Sequence, residues 1–184
     1  MKIKANIVFI GFMATGKTSV AKVVARKMGK KYVSTDGLVV KRSKKTVAQI
    51  FEEKGEEAFR RLEVGSVEKV SKMKNVVIDC GGGIVINKIN VDRLKRNGII
   101  FLLKAASDTI LERNSKEEGK RPLFKVEDQT TEIEKMLKIR EPLYESSADY
   151  AINTTNLNVE QVAGKVIEIL ENVGGKSASV GKKK

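Results

Sequence analysis

Gly11-Phe12-Met13-Ala14-Thr15-Gly16-Lys17-Thr18 matches the pattern Gly-x4-Gly-Lys-[Ser/Thr] in full. It follows an apolar run at 5–10 that reads as a buried strand, and it opens a segment, 17–28, with Val20, Val23, Val24 and Met28 on one helical face. A strand, a glycine turn and a helix in that order make a phosphate cradle. The glycines let backbone N–H groups converge on a phosphate, and the helix N-terminus adds the positive end of its dipole. Gly11, Ala14, Thr15, Gly16, Lys17, Thr18 and Ser19 then surround the phosphates of a nucleotide. Lys17 reaches the β- and γ-phosphates, and the Thr18 hydroxyl meets Mg²⁺.

Outward from the cradle, apolar runs of strand length alternate with helical patterns. Strands are expected at 31–34, 75–79, 98–103 and 150–153, and a helix at 159–170 with Val162, Ala163, Val166 and Leu170 on one face. This alternation predicts an α/β fold of three layers, the P-loop kinase type, with a central parallel sheet of about five strands and helices on both faces. The 184 residues suit one domain, at 1–173. From Gly174 the chain becomes Gly-Gly-Lys-Ser-Ala-Ser-Val-Gly-Lys-Lys-Lys, which reads as a disordered basic tail at 174–184.

Composition narrows the chemistry. There is no histidine and one cysteine, Cys80. That excludes Cys/His zinc sites, internal disulfides and histidine-based nucleophile pairs. Carboxylates, Lys, Arg, hydroxyls, backbone N–H groups or a bound metal must do the work. The net charge is +13, of which four charges lie in the last eleven residues, and a body this basic suits an anionic ligand. With only 5% aromatic residues and no aromatic-and-basic cluster, a nucleic-acid partner is not expected. The start, two lysines before an apolar run, imitates a signal peptide, but the run leads into Gly-Lys-Thr-Ser and reads as a strand. No apolar stretch approaches the ~20 residues needed to span a bilayer, so no membrane contact and a cytoplasmic location are expected.

A phosphate cradle does not choose the phosphate acceptor. Other stretches bear on that choice, each with an ordinary alternative. Asp36, after the second strand, offers a carboxylate or caps the next helix. Arg60, Arg61 and Glu63 form part of a site or a solvated helix face. Gly81-Gly82-Gly83 follows the third strand, where three glycines mark close approach of backbone to a ligand. Arg140 stands in a charged helical pattern, and Cys80 reads as a small core residue.

Taken together, the Ile-Phe-x-x-x-Gly-Glu at 50–56, the Phe-Arg-x-x-Glu at 59–63, the triple glycine, the Arg121-Pro122-Leu123 and the Arg140-x-x-x-Tyr144 resemble the shikimate kinase family in order and spacing across 7–170. The resemblance implies ATP-dependent phosphorylation of the 3-hydroxyl of shikimate, giving shikimate 3-phosphate and ADP, a step towards aromatic amino acids. It further implies a need for Mg²⁺ with ATP, and a monomer is expected, although sequence does not fix the oligomeric state. Arg60 and Arg140 are then expected to grip the shikimate carboxylate, Glu63 to orient Arg60, and Asp36 to meet the accepting hydroxyl. Gly81, Gly82, Gly83, Phe51 and Phe59 would line the substrate. Arg121, on a mobile lid at 115–126, would spread the charge of the moving phosphoryl group. Arg113 and the loop from Asn153 would flank adenine. A kinase for another small hydroxy acid, such as gluconate, is the alternative. A regulatory domain that has lost catalysis is disfavoured, because Lys17, Thr18, Asp36 and Arg121 are all present.

Two positions depart from the family. Ser34 stands where most members carry an acidic residue that helps to hold Mg²⁺ through water, and Asn158 stands where a proline is common. Asp79, at the end of the third strand, either replaces the missing carboxylate beside Thr18 or caps a turn through the glycines.

Overall fold

The computed structural model describes residues 4–115 and 129–179. Among the described residues five strands form one sheet: β1 Asn6–Ile10, β2 Lys31–Ser34, β3 Val76–Asp79, β4 Gly98–Lys104 and β5 Tyr150–Asn153. All pair in parallel, in the order β2-β3-β1-β4-β5. Among the described residues seven α-helices surround it: α1 Lys17–Lys27, α2 Thr35–Ser43, α3 Val47–Ser71, α4 Lys88–Lys95, α5 Ser107–Ser115, α6 Gln129–Ser147 and α7 Val159–Ser179.

The side-chain period of two decides which face each strand residue serves. Ile7 and Phe9 of β1 join Val20, Val24, Val162 and Val166, so α1 and α7 cover one face. Val8 and Ile10 join Val67, Val70, Leu94 and Ile133, so α3, α4 and α6 cover the other. Each such buried side chain contributes about 1.5–3 kcal/mol through removal from water. A third, small cluster of Val39, Ile50 and Phe59 joins α2 to the start of α3.

Local sequence sets the helix starts. Ser34 caps α2, Thr46 and Gln49 form a capping box on α3, and Asn87 caps α4. Asn158 accepts from the Gln161 N–H while the Gln161 amide oxygen accepts from the Asn158 N–H, which starts α7 without a proline. The α3 run is not one straight rod. Gly55 takes φ 75° and ψ 174°, breaking it into 47–54 and 56–71. At the other end, α7 continues to Ser179, past the boundary at 173 drawn from composition. Extending a formed helix costs far less than starting one, so two glycines do not stop it. Residues 180–184 of the expected tail lie outside the described residues.

Candidate active site

The cradle forms where β1 turns into α1. Gly11 adopts φ 139°, and a Cβ there would run into the carbonyl oxygen of Leu103 on β4, so this position requires glycine. Ala14 takes φ 56°, and Gly16 is the N-cap of α1. The Phe12 carbonyl ties the loop together: it accepts from Lys17 Nζ at 2.6 Å and from Thr15 Oγ1 at 2.8 Å. The cradle opens into a cavity of about 280 Å³, lined by Lys17, Thr18, Ser19, Tyr32, Asp36, Asp79 and Gly81 among others. The cradle residues and the Asp36 carboxylate therefore share one space.

Asp79 sits at the back of that space. Its Oδ2 accepts from Thr18 Oγ1 at 2.8 Å and from the Tyr32 hydroxyl at 2.8 Å. Burial, and then the charge of Asp79, pushes the Tyr32 phenol well above its usual range, so it stays a donor. Asp79 does not cap the glycine turn. The Gly81 N–H donates instead to Thr35 Oγ1 at 3.0 Å, and the Ile84 N–H to the Gly81 carbonyl at 3.2 Å.

On the acceptor side, Asp36 lies in the first turn of α2 but is not its cap. Ser34 Oγ takes that role, accepting from the Gly37 N–H at 3.2 Å. The Asp36 carboxylate instead lies against Gly81, where a Cβ would collide with it. A Cβ at Gly83 would likewise collide with the Arg60 guanidinium. The three glycines thus form a bare strip that lets an acid and a base approach the backbone from α2 and α3.

Arg60 is held from both sides. Its Nη1 donates to both Glu63 oxygens at 3.0 Å, and its Nε and Nη2 donate to Glu56 Oε1 at 3.1 and 3.0 Å. Glu63 is wholly buried, whereas Arg61 of the same run pairs with Glu57 in solvent. Only the Arg60–Glu63 part of that charge run is therefore a built interior feature. Burial raises the Glu63 carboxyl and the charge of Arg60 opposes it. Burial lowers the Arg60 guanidinium, but Glu63 and Glu56 outweigh this and leave it above its usual value. Beside them, the rings of Phe51 and Phe59 lie 4.8 Å apart, with Phe59 buried.

Arg140 reaches the same region from α6, its guanidinium 5.9 Å from the centre of the Phe12 ring. One turn on, the Tyr144 hydroxyl donates to the Gly82 carbonyl, anchoring α6 to the glycine strip. Burial pushes the Tyr144 phenol up to about 12, against the charge and hydrogen bond of Arg140. On the other flank of the cradle, Arg113 donates to Thr154 Oγ1 at 3.1 Å, to the Thr154 carbonyl at 2.9 Å and to the Ala14 carbonyl at 3.4 Å. Asn153 shapes the loop after β5, its Oδ1 accepting from the Thr155 N–H at 2.9 Å and the Thr155 hydroxyl at 2.7 Å. Arg121 and 116–126 of the expected lid lie outside the described residues.

Two residues escaped the sequence reading. Tyr32 orients Asp79, and its only signal was a tyrosine near the end of a strand that feeds the cavity. Thr154 is buried and its hydroxyl donates to the carbonyls of Thr15 and Lys104, joining cradle to sheet. The polar run Asn153-Thr154-Thr155-Asn156 marked the loop but not that junction.

The chain is similar to known proteins over nearly its whole length. A family model described as shikimate kinase matches residues 13–171. The shikimate kinase of Caldanaerobacter subterraneus subsp. tengcongensis is 46% identical over 171 residues, covering 93% of this chain and 99% of that protein. That of Thermodesulfovibrio yellowstonii is 42% identical over 168 residues, covering 91% and 96%. Among solved structures, shikimate kinase from Acinetobacter baumannii in complex with shikimate superposes with a TM-score of 0.88 at 30% identity, over 93% of this chain and 95% of that one. Shikimate kinase from Bacteroides thetaiotaomicron gives 0.83 at 31% identity, over 92% and 99%.

Proposed function

This chain belongs to the shikimate kinase family, and from that premise we propose that it transfers the γ-phosphoryl group of ATP to the 3-hydroxyl of shikimate, releasing ADP and shikimate 3-phosphate. The observation that carries the reading is the glycine strip at 81–83, with the Asp36 carboxylate against one end and the Arg60 guanidinium against the other, beside the phosphate cradle. The gluconate alternative is not favoured, since the relatives that match the chain over nearly its whole length are named shikimate kinases.

Phosphoryl transfer has a loose transition state, so positioning and charge do most of the catalysis. Arg60 and Arg140 bind the shikimate carboxylate, because a planar guanidinium fork matches a carboxylate that lysine meets only as a point charge. The buried Glu63 fixes the Arg60 fork beforehand, which reduces the ordering cost at binding. Phe51 and Phe59 wall the ring. Asp36 orients the accepting hydroxyl and takes its proton as the bond to phosphorus forms. Lys17 leaves the Phe12 carbonyl for the β- and γ-phosphates, Arg113 flanks the base, and Arg121 meets the charge on the moving phosphoryl group.

The cofactor is Mg²⁺ bound with ATP. The hard oxygens at the back of the cavity, Thr18 Oγ1 and the Asp79 carboxylate, fit that ion. Mg²⁺ uses one or two carboxylates and substrate phosphates rather than a protein cage, and when bound it neutralises phosphate charge. We place the enzyme in the cytoplasm as a monomer. A buried free thiol at Cys80 supports a reducing compartment. Among the described residues no helix is long and apolar enough to cross a membrane.

A substrate panel tests the function. ADP release with ATP and Mg²⁺ is measured with shikimate, gluconate or nucleoside monophosphates as acceptor. Turnover with shikimate alone is the expected result, and preferred turnover of another acceptor overturns the reading.

A further inference from the structure

Asp79 is 5% exposed and makes no ion pair among the described residues. Its partners are two neutral hydroxyls, those of Thr18 and Tyr32, converging on the same oxygen, Oδ2. Two neutral hydroxyls supply no positive charge to this buried carboxylate, and a bound cation would. It also lines the cavity at the cradle, next to the one hydroxyl whose place in the loop is that of a cation ligand. Buried charge and cavity position are separate observations, and both point to a metal.

The sheet register explains why the carboxylate stands on this strand. Ser34 of β2 and Asp79 of β3 are direct partners across the two parallel strands. Position 34 holds a serine, and its oxygen is engaged with the Gly37 N–H at the start of α2. The next strand end, one position across the sheet, carries the acid instead.

We propose that Asp79 is the carboxylate that holds the divalent cation of the nucleotide complex through a bound water, with Tyr32 as its positioning residue. Thr18 Oγ1 would offer a lone pair to the cation while its O–H donates to Asp79, and Tyr32 would keep the carboxylate in place. An all-oxygen set of this kind takes Mg²⁺ or Mn²⁺. The inference rests on the nucleotide half of the proposed function and is independent of the acceptor.

Mn²⁺ is the probe, since its free concentration is read directly by electron paramagnetic resonance. Each protein is titrated with Mn²⁺ at saturating ADP, and metal-free ADP affinity is measured alongside as the control for folding. Asp79→Asn should weaken Mn²⁺ retention by roughly 10- to 100-fold, the usual loss when an outer-shell group is removed, and leave metal-free ADP affinity as in the parent. Adding Ser34→Asp should restore most of the loss, because the two positions are register partners. Tyr32→Phe should give a smaller loss in the same direction. Mn²⁺ retention equal to the parent in Asp79→Asn overturns the proposal. Should Asp79→Asn fail to bind ADP at all, Tyr32→Phe decides, and unchanged retention there overturns it too. Failure to phosphorylate shikimate would overturn the acceptor assignment and leave this titration intact.

Discussion

The phosphate cradle is eight consecutive residues, 11–18, braced from the neighbouring strand by Leu103 and tied inward by the Phe12 carbonyl. The proposed acceptor side draws Asp36 from α2, Arg60 from α3, three glycines from the end of β3 and Arg140 from α6. The first is mostly backbone on the main core. The second is mostly side chains, partly carried by the small Val39, Ile50 and Phe59 cluster and interrupted by the Gly55 kink. A backbone cradle recognises any nucleoside polyphosphate, whereas a set of side chains recognises one acceptor. Damage to one half should therefore fall on one substrate, and that separation can be broken or sharpened by mutation.

The largest effect is expected from a residue belonging to neither half. Arg121→Ala should lower kcat by roughly 10²-fold or more, on the scale of other transition-state donors, with little change in the KM for shikimate. Steady-state kinetics check this, and a change confined to KM would place Arg121 in ground-state binding. Next comes Arg140→Lys, which should weaken shikimate by about 1.5–3 kcal/mol, the worth of a charge-assisted hydrogen bond. The KM for ATP should hardly move. Equal losses for both substrates would erase the separation of the halves.

Tyr144→Phe should act more mildly. Losing the donor to the Gly82 carbonyl costs about 1 kcal/mol, or roughly fivefold in shikimate affinity, with nucleotide binding unaffected. Calorimetric titration with each ligand reads this directly. The smallest effect concerns Cys80. It is 2% exposed and burial raises its thiol well above the usual range, so an alkylating reagent should leave it unmodified until the protein is unfolded. Rapid labelling of the native enzyme would mean that the end of β3 opens readily.

The same contrast explains what the sequence disclosed. Expected strands fall within a residue of those observed, as with 75–79 against Val76–Asp79, because continuous apolar runs mark strands covered on both faces. The cradle was legible because its geometry is contained in eight neighbours. That Asp36, Arg60 and the three glycines converge was expected only through the resemblance, since nothing local says that Arg60 and Gly83 meet. Of the Arg60–Glu63 charge run, only the fold shows that Glu63 is buried while Arg61 is in solvent. Asp79 was seen but left open between metal and turn, because its partners, Thr18 and Tyr32, come from α1 and β2. The capping role considered for Asp36 went to Ser34 two residues earlier, which a reading of helix-start propensities alone does not separate.

The most direct test of the account is a crystal structure of the enzyme with shikimate and ADP. The shikimate carboxylate should lie between the guanidinium groups of Arg60 and Arg140, with the 3-hydroxyl at the Asp36 carboxylate and the ring over Gly81–Gly83. Shikimate bound away from the glycine strip, with Arg60 engaged only by Glu56 and Glu63, would contradict it.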